Sequence, residues 1–460
     1  MLPYFSLFTG FFLGFWLLRS QRHVLFKLAE NSVAALNTLL TAEDDEDVKL
    51  KMVQARTNAL LLSLLKTIGL FVLVVAVGFG PYYGLELIEG TASTDFNTGS
   101  FWSIMAISIG ATIPFLIPIK PKTKSDYSEL AQLLHRMVLN NYTLGYKLFK
   151  REAKKQARKG KSVQSKFVIV SGLARAGTTS LMNNLVETGK FSSLSYANMP
   201  FLLSPNTWAK FYKPKSEKLK ERSHGDGIKI GLSSAEALEE YFFKVITNDS
   251  YITESKILEH EIDDAGLNDY LNYQRMVRLG EESVYLAKNN NFLTRYNSIR
   301  ARNKDFVMVL LYRHPLLHAA SLLEKHKQYT QMQAEDTFVL EYMDWLGHHE
   351  FGLHQKEFSF STSSESPVTD KSLLDYWLSV WINYYEKVLT IKDDNTLVIN
   401  YEQYCNQPNE TINSILNKGG LAIDNLNFEA YQNVREVKLP HSNTFLEKAM
   451  GIYEQLKQLS

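Results

Sequence analysis

Three long apolar runs without a charged residue, Leu2–Leu18, Ile68–Leu85 and Phe101–Ile119, set the first part of the chain apart from the rest. About 20 apolar residues cover the roughly 30 Å of a bilayer's hydrocarbon. The pattern therefore predicts transmembrane helices at 2–18, 67–87 and 101–119. The first run also admits a reading as a secretion signal, yet Met1-Leu-Pro-Tyr4 has no basic leader and Leu17-Leu-Arg-Ser-Gln-Arg-His23 offers no small-residue cleavage site. A buried hairpin of a soluble domain would have to enclose the very apolar run Gly69–Val77 in a protein core.

Further along, the pattern changes. Shorter apolar runs end in polar or charged residues at Phe167–Val170, Val284–Lys288, Asp305–Tyr312 and Thr396–Glu402, as strands of a parallel sheet covered on both faces do. Leu181, Met182, Leu185 and Val186 continue the first as a helix, and Pro315 can open a helix after the third. The expected fold is α/β, a P-loop-like parallel sheet with flanking helices, preceded by transmembrane helices. The expected domains are a membrane region, 1–125, with a cytoplasmic segment 19–66; a basic linker helix, 126–165; and a catalytic domain, 166–460.

Charge orients the apolar part. Arg19, Arg22 and Lys27 follow the first run, Lys51, Arg56 and Lys66 precede the second, and Lys120, Lys122 and Lys124 follow the third. Glu86–Ser100 contains Glu86, Glu89 and Asp95 and no basic residue, so this loop and the N-terminus are expected outside and the rest in the cytoplasm. Glu43-Asp-Asp-Glu-Asp47 reads as a solvated turn between two short helices. In 126–159, Leu130, Leu133, Leu134, Met137 and Val138 form an apolar side ahead of a basic stretch from Lys147 to Lys159. Such a segment suits either a solvated linker or the surface of an anionic bilayer. A formal net charge of +1 supplies no broad basic field, so nucleic acid is not an expected partner. Cys405 is the only cysteine, so no disulfide forms within one chain, consistent with a cytoplasmic catalytic domain.

The strongest chemical signal is Phe167-Val-Ile-Val-Ser-Gly-Leu-Ala-Arg-Ala-Gly-Thr-Thr-Ser180, an apolar strand that turns through Gly172 and Gly177 into a helix. The N–H groups of such a turn and of the first helical turn can converge on one phosphate. Arg175 adds a charged fork beside Ala176, and Thr178, Thr179 and Ser180 bring hydroxyls. The nucleoside-triphosphate loop has lysine where this chain has Thr178, so triphosphate chemistry lacks its usual cation. Arg313, at the end of the third strand, and Ser321, eight residues on, are placed to hold a second phosphate. Lys288 ends another strand at the sheet edge where open α/β folds keep ligands.

Together these residues resemble the sulfotransferase family, which transfers a sulfuryl group from 3'-phosphoadenosine-5'-phosphosulfate (PAPS). The resemblance covers roughly 166–420. It matches Ser171–Ser180 to the family's 5'-phosphosulfate loop, Arg313, Pro315 and Ser321 to its 3'-phosphate element, and Lys288 to its lysine. Val398–Glu402 with Pro408 matches a later tyrosine–glutamate segment, and Glu221–Gly227 resembles a form seen in microbial members. It implies PAPS as donor, no metal, and an acceptor hydroxyl. One departure is Asn290, where soluble aryl-type members carry histidine.

Sulfuryl transfer needs cations at the developing charge and a base for the hydroxyl proton. Arg175 and Lys288 suit the first role. His224, with Asp226 nearby to orient it, and Glu240, a carboxylate on an apolar helix whose pKa burial would raise, are the candidate bases. Each has a plain alternative, a turn histidine and a solvated helix face. His348, His349 and His354 lack the spacing of a metal site. Trp377, Trp381, Tyr384 and Tyr385 share a helix side, as core residues or as a stacking surface for a sugar or aromatic acceptor. The expectation is a multi-pass sulfotransferase of a bacterial inner membrane with its catalytic domain in the cytoplasm, acting on a glycan, lipid or lipid-linked hydroxyl. A nucleotide-dependent kinase and a non-catalytic scaffold are the alternatives, and a homo-oligomer is open.

Overall fold

The computed structural model describes residues 1–42, 45–89, 97–118, 127–213, 220–221, 229–230, 236–363, 368–391, 393–423, 425–431 and 437–460. They fall into two compact units, Met1–Leu144 and Gly145–Ser460.

In the first unit the apolar runs fold as helices α1 (Leu2–Ser20), α3 (Glu46–Glu89) and α4 (Phe101–Leu116), with α2 (His23–Leu40) between the first two. Two of them, α1 and α3, are long and apolar enough to cross a membrane. The third apolar run makes a helix of 16 residues, shorter than its predicted span. The most apolar stretches of α1 and α3 are only 28% and 22% buried, unlike the core helix of a soluble protein. Leu65, Ile68, Phe71, Val72 and Val75 all face outward.

The contacts inside the unit are made close by glycine. A Cβ on Gly10 of α1 would lie 2.1 Å from the Gly78 carbonyl oxygen of α3, and one on Gly14 would lie 2.7 Å from that of Val74. Small residues four apart permit this approach between helix backbones. The second of the two short helices expected in 19–66 is instead the start of α3, which runs unbroken for 44 residues through the second apolar run.

The basic segment is not one helix. It divides at Asn140–Asn141 into α5 (Glu129–Leu139) and α6 (Tyr142–Arg158). Arg22 and Glu129 form an ion pair, and the Leu144 N–H donates to Asn37 Oδ1 at 2.9 Å, so α5 and the turn after it are held to the α2 segment. In the second unit α6 buries Phe149, Glu152 and Ala153. The Glu152 carboxylate accepts from the N–H groups of Asn206, at 3.0 Å, and Thr207, at 2.8 Å.

Five parallel strands form the largest sheet described in the second unit: β1 (Phe167–Ser171), β2 (Phe191–Ser192), β3 (Val284–Lys288), β4 (Val307–Tyr312) and β5 (Thr396–Asn400), in the order β2-β3-β1-β4-β5. The unit is mixed α/β. β1, β3 and β4 are buried at every residue, which is why their sequences are unbroken apolar runs. Helix α7 (Thr178–Glu187) packs Leu181, Met182 and Leu185 on Val168, Val170 and Val309. Full burial of each such side chain is worth about 1.5–3 kcal/mol. β5 is two residues shorter at its end than the predicted run, and Tyr401 and Glu402 begin a helix capped by Asn400, whose Oδ1 accepts from the Gln403 N–H at 2.9 Å.

Because all five strands are parallel, their carboxyl ends lie on one edge. Register pairs Val170 with Lys288, Ser171 with Leu310 and Tyr312 with Asn400. The chain leaves β1, the central strand, toward one side and later returns to the other, the crevice where open α/β sheets bind ligands.

Candidate active site

The turn after β1 is a tight left-handed loop. Gly172, Arg175 and Gly177 have φ of 148°, 74° and 97°. Gly177 is required twice over, since a Cβ there would lie 2.2 Å from the Tyr401 ring. An arginine in the left-handed region is uncommon and is sustained here by neighbouring contacts. Ala176 is fully buried, and its N–H donates to the Leu173 carbonyl at 3.0 Å. Alternating handedness turns successive N–H groups toward one point, and α7 adds the free N–H groups of its first turn.

Helix α8, Pro315–Glu335, steadies this loop from the next strand. Its His318 donates from Nε2 to the Ala174 carbonyl at 2.7 Å, and Ser321, one turn on, accepts from Arg175 Nε at 3.2 Å. Burial pushes the His318 pKa down to about 3, so it holds the carbonyl as a neutral ring. His318 was not singled out from the sequence; its spacing of three from Ser321 on one helix face was the available signal. The two predicted phosphate elements therefore meet, through Arg175 and Ser321.

Two cationic side chains flank the loop. On the β3 side, buried Lys288 donates from Nζ to Thr179 Oγ1 at 2.8 Å and lies 3.3 Å from Glu236 Oε1. On the β4 side, Arg313 is 7% exposed, and among the described residues no carboxylate pairs with it. Its guanidinium lies 5.1 Å from the centre of the Tyr401 ring, and its Nε has no hydrogen-bond partner. Buried charges are normally paired, and among the described residues the group beside Arg313 is the Tyr401 ring. Thr178 is buried in the first turn of α7, while Ser180 is turned to Tyr404, with 3.2 Å between the hydroxyl oxygens.

The candidate bases have different fates. His224 and Asp226 lie outside the described residues. Glu240 is not a free base. It is fully buried and accepts from both terminal nitrogens of Arg295, at 2.7 and 2.6 Å, and from the Tyr251 hydroxyl. Burial raises its pKa, as expected from the sequence, but the charge and hydrogen bonds of Arg295 outweigh burial and hold the carboxyl below its ordinary value. Trp377, Trp381 and Tyr384 are completely buried in the helix Leu374–Leu389, so they pack the core and offer no stacking surface. Tyr385 donates to the Leu311 carbonyl at 2.8 Å and Tyr384 to that of Asn290 at 3.1 Å, supporting the strand ends from beneath.

No family model and no curated protein matches the sequence. Solved structures do show likeness to this chain. A sulfotransferase of Mycobacterium tuberculosis H37Rv shares 10% identity over 82% of this chain and 96% of its own, at a TM-score of 0.38. A sulfotransferase of Mycobacterium avium shares 11% over 81% and 86%, at 0.36, and one of Alicyclobacillus acidocaldarius 13% over 63% and 91%, at 0.31.

Proposed function

We propose that the chain is a PAPS-dependent sulfotransferase, moving a sulfuryl group to a hydroxyl of a glycan, lipid or lipid-linked acceptor. The observation that carries the reading is buried Arg313, with no ion pair among the described residues, beside a glycine-walled anion loop whose other flank is Lys288. A nucleotide with phosphate on both its 3' and 5' positions matches two cationic places on either side of one loop. A triphosphate, with its charge in one chain, would leave Arg313 unused. In this reading the loop N–H groups, Arg175 and Lys288 hold the 5' end, and Arg313 and Ser321 hold the 3'-phosphate. Lys288 and Arg175 meet the charge that develops on the bridging oxygen as the S–O bond breaks.

Calorimetry on the full-length protein in detergent tests this directly. The product nucleotide, 3'-phosphoadenosine-5'-phosphate (PAP), is expected to bind and to resist displacement by ATP. Absence of PAP binding, or equal competition by ATP with Mg²⁺, would sink the reading.

The membrane reading extends this. Outward-facing apolar residues on α1 and α3, with acidic Glu86–Ser100 against the basic flanks elsewhere, support a multi-pass protein whose catalytic unit faces the cytoplasm of a bacterial cell. Alkaline phosphatase inserted after Asn97 is expected to be active, and the same enzyme fused after Ser460 inactive; the reverse pattern would overturn the orientation.

A further inference from the structure

We infer that His348, oriented by Glu350, is the base that takes the acceptor's proton; the inference rests on the sulfotransferase reading above. A small recess, partly open to solvent, is lined by Lys288, Asn290, His348 and Glu350, with Ala237 and Leu346 as apolar wall. Lys288, which donates to Thr179, joins it to the anion loop, and the recess has room for the acceptor's hydroxyl group rather than for the whole acceptor.

Local structure explains how His348 arrives there. The helix Thr337–Trp345 ends in a left-handed glycine, Gly347, with φ of 66°. The His348 N–H donates back to the Met343 carbonyl at 2.9 Å, the six-to-one bond of a Schellman ending. No other residue fits at Gly347, where a Cβ would lie 2.6 Å from Glu240 Cγ. Asn291 fixes the same turn, donating from Nδ2 to the Gly347 carbonyl at 2.9 Å.

Glu350 is buried, and His348 Nδ1 lies 3.7 Å from its Oε1. That separation is an ion-pair contact longer than a hydrogen bond, and such contacts in unliganded sites tighten when substrate arrives. Asn290 donates from Nδ2 to the same oxygen at 2.8 Å. The position that carries histidine in soluble aryl-type members thus serves here to anchor a carboxylate that faces another histidine. Burial raises the Glu350 pKa, whereas a protonated His348 and the Asn290 hydrogen bond lower it, to about 2 on balance. With Nδ1 nearest Glu350, Nε2 is the ring nitrogen left to take a proton. The ionisable groups around it are Glu350, Lys288 with Glu236, and Glu240, which Arg295 already engages. His349 and His354 both contact Asp344 instead, at 3.6 and 2.7 Å.

In the step itself the acceptor oxygen forms a bond to sulfur as the bond from sulfur to the 5'-phosphate oxygen breaks. The hydroxyl proton passes to His348 Nε2, and Glu350 stabilises the imidazolium without taking a proton. The products are the sulfate ester, PAP and one proton released later from His348.

The test uses the full chain in detergent, with water as acceptor, following sulfate release from PAPS and PAP affinity in parallel. His348→Gln is expected to slow turnover by on the order of 10²–10⁴-fold with PAP affinity unchanged. Glu350→Gln should slow it by roughly tenfold, and the double variant should be no slower than His348→Gln, as residues acting as one unit are non-additive. His348→Gln turning over within about threefold of the parent, losing PAP affinity as well, or combining multiplicatively with Glu350→Gln would each overturn the assignment. Failure of the unaltered protein to bind PAP is the separate outcome that removes the donor reading and this inference with it.

Discussion

Arg313→Met is expected to weaken PAP binding by roughly 10–100-fold while the ligand-free protein unfolds at the same temperature or higher. Hydrogen bonds to a charged group contribute about 1.5–3 kcal/mol, and each 1.4 kcal/mol is tenfold in affinity. The second half of the expectation has the opposite sign from that of an ordinary buried arginine. Arg313 has no ion pair among the described residues, so its removal breaks none, and a methionine of similar reach relieves the cost of a desolvated charge. Calorimetric titration with PAP, beside a thermal melt without ligand, reads both halves. Unchanged PAP affinity would sink the 3'-phosphate assignment. A large fall in the unfolding temperature would make Arg313 a structural residue.

Glu240→Ala should have the largest effect on stability. It strands the Arg295 guanidinium, which is fully buried between Phe243 and Tyr251, its centre 4.0 and 5.2 Å from those rings. Breaking a buried pair on one side costs about 3–5 kcal/mol, whereas replacing both partners by apolar groups can be nearly neutral. Glu240→Ala should therefore melt well below the parent and Glu240→Leu/Arg295→Met close to it; equal melting of both variants would refute the pairing. The pH dependence follows from the same contact. The folded-state pKa of Glu240 is depressed, so its stabilisation is complete above the ordinary carboxylate range near 4.5 and is lost as pH falls below it.

The two variants bear on what could be read from the sequence. The strands were legible because a strand buried on both faces leaves an unbroken apolar run, as in Phe167–Ser171 and Val307–Tyr312. The anion loop was legible because its glycines and hydroxyls are contiguous. Partners distant along the chain were not. Nothing local to Glu240 announces Arg295, and nothing near Asn290 announces Glu350, since each pair is made only when separate segments pack. Reading Glu240 from burial alone gave the wrong direction of its pKa, because the opposing charge is 55 residues away. The break at Asn140–Asn141 was missed because the hydrophobic period continues across it, while the end of β5 was read too long because Tyr401 and Glu402 suit a strand as well as the start of a helix.

The unbroken length of α3 has its own consequence. At 1.5 Å per residue, its 44 residues extend about 66 Å, twice the depth of a bilayer's oily interior. If its apolar half lies in lipid, the half from Glu46 to Lys66 reaches some 30 Å beyond it alongside α2, whose Asn31 donates from Nδ2 to the Ala59 carbonyl at 3.2 Å.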